Sequence, residues 1–71
     1  MTFLTVDTDE YEASHARRPR GRGRWLFRFG RNGAWLAEPE AAPLNSSYTE
    51  ATQWARREAR THGYTDIVVC P

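Results

Sequence analysis

The dipeptide Asn32-Gly33 constrains this chain more than any other feature. A type I′ turn needs positive φ at both central residues, and Asn followed by Gly tolerates that best. On its N-terminal side Trp25, Phe27 and Phe29 alternate with Leu26 and Arg28, the period-two pattern of a strand with one buried face. Centring the turn on Asn32-Gly33 sets Phe29 opposite Leu36, Arg28 opposite Ala37 and Gly30 opposite Trp35. Paired residues share a sheet face. A hairpin over residues 25–37 thus gathers Trp25, Phe27, Phe29 and Leu36 on one apolar face. The other face carries Leu26, Arg28, Trp35 and Ala37. Trp35 can lie across Gly30, covering backbone that has no side chain of its own. Three roles are open to it: cover by the N-terminal segment, a dimer contact, or a ligand platform.

The second strong signal is Ser47-Tyr48-Thr49-Glu50, a capping box with Ser47 as N-cap and Glu50 reaching back. It predicts a helix over residues 47–62, ended by Gly63. Spacings of three and four give it an inward stripe of Tyr48, Ala51, Trp54 or Ala55, Ala59 and His62. Gln53, Arg56, Arg57 and Arg60 fall mostly outside. The run Ile67-Val68-Val69 marks a strand over residues 66–70 near the sheet centre. Right-handed crossover handedness then orders the sheet as second hairpin strand, first hairpin strand, C-terminal strand. Residues 2–6 read as an edge strand, and Asp7 or Thr8 caps a brief helix over residues 9–16. Pro19, Gly21 and Gly23 make residues 17–24 a loop, and residues 38–46, with Pro39 and Pro43, another. The expected fold class is α+β. It is a two-layer ββαβ unit with an N-terminal strand and short-helix extension, one main helix lying on a small, mostly antiparallel sheet.

At 71 residues the chain makes a single domain. A domain this small buries only about 60% of its unfolded surface, so large side chains must carry the core, and three Trp, three Tyr and three Phe do. Such a core leaves no space beside it for a deep substrate cleft. One cysteine, Cys70, excludes an intrachain disulfide. With it, His15 and His62 do not make a zinc site of usual spacing. No apolar run approaches the roughly 20 residues of a membrane span, and residues 1–6 lack the basic flank of a signal peptide. A cytoplasmic location is expected, and a lone Cys agrees with a reducing compartment.

Charge is arranged as a dipole along the chain. Asp7, Asp9, Glu10 and Glu12 form an acidic block, and Arg17, Arg18, Arg20, Arg22, Arg24, Arg28 and Arg31 follow without an intervening acid. Five arginines fall within residues 17–24 around one Pro and two Gly. Guanidinium forks bind phosphate bidentately, and glycine lets backbone N–H groups approach it. The plain alternative is a solvated loop neutralised by the acids nearby. The stretch from Arg22 to Phe29 partly matches the RNA-reading strand of RRM domains. That strand exposes its aromatics for base stacking, whereas this register buries Trp25, Phe27 and Phe29, so an RRM is excluded. For catalysis, His15 has no nucleophile at an arguable distance, Cys70 falls in an apolar strand, and the carboxylates cluster only in sequence. A non-enzyme without a cofactor is expected.

The stretches Glu12-Ala13-Ser14-His15-Ala16-Arg17-Arg18-Pro19-Arg20-Gly21-Arg22-Gly23-Arg24-Trp25 and Tyr48-Thr49-Glu50-Ala51 through residues 63–71 resemble small uncharacterised proteins of bacterial phages and plasmids. The shared order is histidine, basic residues, Pro-Arg-Gly, an aromatic strand, then helix and strand. The resemblance implies a mobile-element origin and transfers no activity. Small phage proteins of this size include inhibitors of host defence, anti-CRISPR proteins among them. Three functional readings follow. In the first, a nucleic-acid-associated protein contacts phosphates through Arg17, Arg18, Arg20, Arg22 and Arg24. Arg28 extends the patch and Trp35 stacks on a base or sugar. In the second, the same arginines seize an acidic or nucleic-acid-binding protein complex of a host, with Trp35 and Tyr11 as anchors. In the third, the domain self-associates as a homodimer through its open sheet face or an edge strand. None involves a membrane.

Overall fold

Asn32 (φ 51°) and Gly33 (φ 86°) take up the left-handed backbone that the hairpin requires. The computed structural model describes residues 4–71. Their elements run β1 (Val6–Asp7), α1 (Asp9–His15), β2 (Arg22–Gly23), β3 (Leu26–Arg31), β4 (Ala34–Trp35), β5 (Glu40–Ala41), β6 (Ser46–Ser47), α2 (Tyr48–His62) and β7 (Asp66–Val69). Next to the turn the register is the expected one, with Gly30 opposite Trp35 and Arg31 opposite Ala34. Farther on, β5 pairs with the same strand, but Leu26 faces Ala41 and Phe27 faces Glu40. The returning chain therefore carries two more residues than β3 between these pairs, in a bulge that includes Pro39. An even insertion preserves the alternation of faces. Ala42 thus still arrives opposite Trp25, donating its N–H to the Trp25 carbonyl (2.9 Å), and is buried.

The five-stranded sheet is mixed, in the order β1–β7–β3–β4, with β5 beside β4 along the same side of β3. The last strand lies antiparallel to β3, Phe29 facing Ile67 and Phe27 facing Val69. It is parallel to β1, which takes the far edge. Strand order matches the expectation. Among the described residues the N-terminal strand is Val6–Asp7, so Leu4 and Thr5 precede it and the expected span over residues 2–6 meets it at Val6; residues 1–3 lie outside the described ones. A second, two-stranded sheet joins β2 to β6 antiparallel, Arg22 opposite Ser47 and Gly23 opposite Ser46. Residues 17–24 are consequently not loop throughout, and neither are residues 38–46.

The core lies between the sheet and α2. Phe27, Phe29, Val69, Ala51, Ala55 and Ala59 have no solvent exposure. Alanine lets the helix approach closely, and the phenyl rings fill the gap. Trp54 is only half-buried, its ring 6.2 Å from both Phe27 and Phe29. The inward stripe ends earlier than the periodicity suggested. His62, in the last turn before Gly63 (φ 73°) ends the helix, is exposed. It pairs instead with Glu58 at 3.3 Å and leans on Tyr64. Tyr64 in turn stacks on Phe29 at 5.3 Å. Leu36, expected on the core face, is 39% exposed. It lies just past the end of β4, where the bulge begins, while Tyr64 supplies the ring that covers Phe29.

Both ends of α2 are closed as their residues dictate. Glu50 donates its N–H to Ser47 Oγ (3.1 Å), and Ser47 donates its own to Glu50 Oε1 (2.9 Å), completing the capping box. At the other end Arg31 donates to the carbonyls of His62 (2.6 Å) and Gly63 (3.0 Å). A cation there satisfies acceptors the helix leaves open and suits its dipole. The short α1 starts with an Asp7 side chain that accepts from Asp9 N–H at 2.9 Å. Thr8 bonds the Glu12 carboxylate rather than capping the helix. Helix α1 ends on Ala16 in the left-handed region, φ 55°.

Two consequences can be measured. The Glu50 carboxyl is held below the ordinary carboxylate range, first by the Ser47 backbone N–H, then by the Ser47 hydroxyl and the Arg22 charge. A folded value below the unfolded one contributes stability that is full above the carboxylate range and is lost as pH falls through the lowered value. Urea unfolding of Glu50→Gln should show a deficit at pH 7 that closes below about pH 4. At Gly30, an added Cβ would lie 2.8 Å from Trp35 Cε3 and 3.0 Å from the Ala34 carbonyl. Gly30→Ala should therefore cost about 1–3 kcal/mol, as overpacking does. In a Trp35→Ala background, equilibrium unfolding should show that cost reduced, the Ala34 carbonyl contact keeping the remainder.

Candidate nucleic-acid interface

The chain leaves α1 through Ala16, turns again at Gly21 (φ 87°), and is then fixed by β2. Arg22 sits at the fixed point. Its Nη1 donates to the Asn45 carbonyl at 2.6 Å and lies 3.5 Å from Glu50 Oε1. Nearby, Tyr48 N–H donates to the Gly21 carbonyl at 2.8 Å. The arginine run is thus a loop held at both ends rather than a free arm, and its shape follows from those anchors.

That shape brings four arginines together. Arg17, Arg20, Arg22 and Arg24 line one open cavity of about 270 Å³, with His15 beside them. Tyr11, Gly23, Trp25, Leu26, Cys70 and Pro71 complete its walls, and no Asp or Glu side chain lines it. Among the described residues Arg17, Arg20 and Arg24 make no ion pair and no side-chain hydrogen bond. Guanidinium groups stay charged at any ordinary pH, so several around one hollow repel one another. A multiply charged anion relieves that repulsion and matches their paired donors.

The remaining sequence-predicted residues lie elsewhere. Arg18 projects to another hollow, lined by Thr8, Glu12, Pro19 and Tyr48. Arg28 and Trp35 share a third, with Asp7, Glu10 and Val68. The seven expected site residues therefore divide among three places, and two of the three contain acids. Trp35 is 45% exposed and shares no hollow with the arginine loop. Its cover by the N-terminal segment is not seen among the described residues.

Sequence reasoning missed three residues of this cavity as a group. Tyr11 and His15 are one helical turn apart on α1, and their rings stack at 4.1 Å with 21° between planes. Tyr11 is buried and lies 5.5 Å from the Trp25 ring, which Tyr48 meets edge-on at 5.0 Å. The signal was present in the spacing of four between two aromatic rings just ahead of the arginines. Trp25 was read only as core. It is 7% exposed, yet it lines the cavity. Its indole Nε1 is the one buried side-chain nitrogen or oxygen among the described residues without a hydrogen-bond partner.

Cys70 lines the same cavity, half-buried. Burial pushes its thiol up, the Arg28 charge opposes that shift, and the Glu10 charge adds to it. The thiolate is the reactive form. Alkylation of the folded protein near pH 8 should accordingly be slower than that of the urea-unfolded chain, with the gap narrowing as pH rises; a stopped-time iodoacetamide assay reads this directly.

Among the described residues no three His, Cys, Asp or Glu side chains gather as metal ligands, and no helix is long and apolar enough to cross a membrane. No protein-family model, curated protein or solved structure matches this chain.

Proposed function

We propose that this domain is a non-enzymatic binding protein that holds nucleic acid by its phosphates, through the cavity lined by His15, Arg17, Arg20, Arg22 and Arg24. One observation carries the reading: four arginines converge on a single hollow that no acidic side chain lines. Three of them have no ionic partner among the described residues, which leaves their charge available to a ligand. Arg22 plays a different part, since it also ties β2 to the Asn45 loop and to the helix cap. Arg18, Arg28 and Trp35 stand outside this contact, the first beside Glu12 and the others beside Asp7 and Glu10.

Binding of this kind displaces counterions and weakens steeply with salt, by roughly 0.7–0.9 in the log–log slope for each phosphate neutralised. Fluorescence anisotropy with labelled DNA and RNA across a salt series should show that dependence. The triple variant Arg17→Ala, Arg20→Ala, Arg24→Ala should flatten the slope by about two to three. Leaving Arg22 in place keeps the loop anchored, so a change cannot be laid to misfolding. An unchanged slope in the triple variant would remove the phosphate reading.

A second reading has its own observation. Trp35 and Leu36 are exposed at 45% and 39%, and they border one open hollow with Arg31 and Tyr64. Trp, Tyr and Arg are the residue types that dominate protein interfaces. That patch suits a protein partner, such as a host defence complex bound in the manner of an anti-CRISPR protein. Absence of nucleic-acid binding even at low salt would turn the arginines toward an acidic protein surface and favour this second reading.

A further inference from the structure

We propose that the cavity accepts one unpaired base of a single-stranded nucleic acid, stacked on the outer face of His15. The inference rests on the phosphate reading above and names its substrate class. Trp25, Tyr11 and His15 form a column of rings that starts in the core and ends at the surface. Trp25 and Tyr11 are buried, and His15, the last ring, is exposed. Tyr11 covers one face of the imidazole at 4.1 Å, nearly parallel, and no other ring among the described residues takes the opposite face. A base laid there would extend the column by one. Because Tyr11 is held by its burial and by Trp25, the platform is ordered in advance, and a ligand need not arrange it.

The arginines are placed to hold the strand that carries such a base. Arg17, Arg20 and Arg24 border the same cavity. A cationic groove beside an aromatic ring is the combination with which proteins hold single strands, the charge following the backbone and the ring taking a base. A duplex cannot use the ring in this way, because its bases stay stacked inside unless one is flipped out at a cost in free energy. The cavity is open and about 270 Å³ in volume, space enough for a base.

The test compares a short labelled single strand with an abasic strand of equal length and phosphate count, and with the matching duplex. DNA and RNA forms serve as separate arms. The base-bearing strand should bind more tightly than both others, and His15→Ala should weaken it by roughly five- to a hundredfold. His15→Phe should retain most of the affinity, and His15→Ala should weaken the abasic strand far less than the base-bearing one. The base-bearing strand should also protect Cys70, the sole cysteine, from alkylation, since Cys70 borders the cavity. Equal, salt-sensitive binding of base-bearing and abasic strands, indifferent to His15→Ala, would overturn the base pocket and leave the phosphate reading standing. Tighter binding of the duplex, or no protection of Cys70, would also overturn it. No salt-sensitive binding to any strand would remove the phosphate reading and this inference together.

Discussion

Phe27 and Phe29 are sealed from water in one buried cluster with three alanines of α2, and the rest of the domain is arranged around that contact. Small residues on the helix and large ones on the strand bring the two layers close without a void, which dense packing requires. The strand that carries the phenyls is paired along both sides, so its position fixes that of every other strand in the large sheet. Its two flanks also hold the helix ends. Arg31, at its C-terminal limit, clasps the last carbonyls of α2. Arg22, just ahead of it, meets the Glu50 carboxylate of the capping box. One continuous segment thus supplies the core of the helix interface and the clamps at both helix termini.

The same frame sorts eight of the ten arginines into three chemical situations. Arg22, Arg31 and Arg56 spend their donors on backbone carbonyls, at Asn45, at residues 62 and 63, and at Leu4. Arg18 and Arg28 share hollows with carboxylates of the acidic block. Arg17, Arg20 and Arg24 have neither kind of partner among the described residues. Linear charge density therefore overstates the functional patch, because half of a basic run can be absorbed by the fold that it helps to close. What remains is smaller than the run in the sequence and more concentrated in space.

Local rules made most of the architecture legible. Asn32-Gly33, the capping box at Ser47 and Glu50, the Gly63 stop and the apolar run at Ile67 each depend on a few neighbouring residues, and each stands where its pattern predicts. The α+β class and the strand order followed from these and from crossover handedness, whereas the parallel pairing of β1 with β7 left no sign in the sequence. The errors lie elsewhere. Leu36 left the core because a two-residue insertion lies beyond the turn's control. His62 is helical and three residues on from Ala59, yet it is exposed and pairs with Glu58 in the last turn. The candidate site was legible as a list of arginines but not as a grouping. Which of them face one cavity depends on Ala16 and Gly21 in left-handed turns and on the β2–β6 pairing, and short pairings of two residues leave almost no periodic trace. The Tyr11–His15 stack was accessible from spacing alone, and its relation to Trp25 was not.

The bulge after Leu36 has a consequence for how this protein meets its own copies. An open sheet border with a long row of free N–H and C=O groups invites another strand to add on, and repetition of that step builds fibres. Here the border beside β3 is cut into two pieces of two residues each, separated by a kinked stretch that contains a proline unable to donate. A neighbouring chain in extended form finds no straight row along which to zip. The notch gives a small, aromatic-rich domain a built-in stop against strand-by-strand polymerisation at that border.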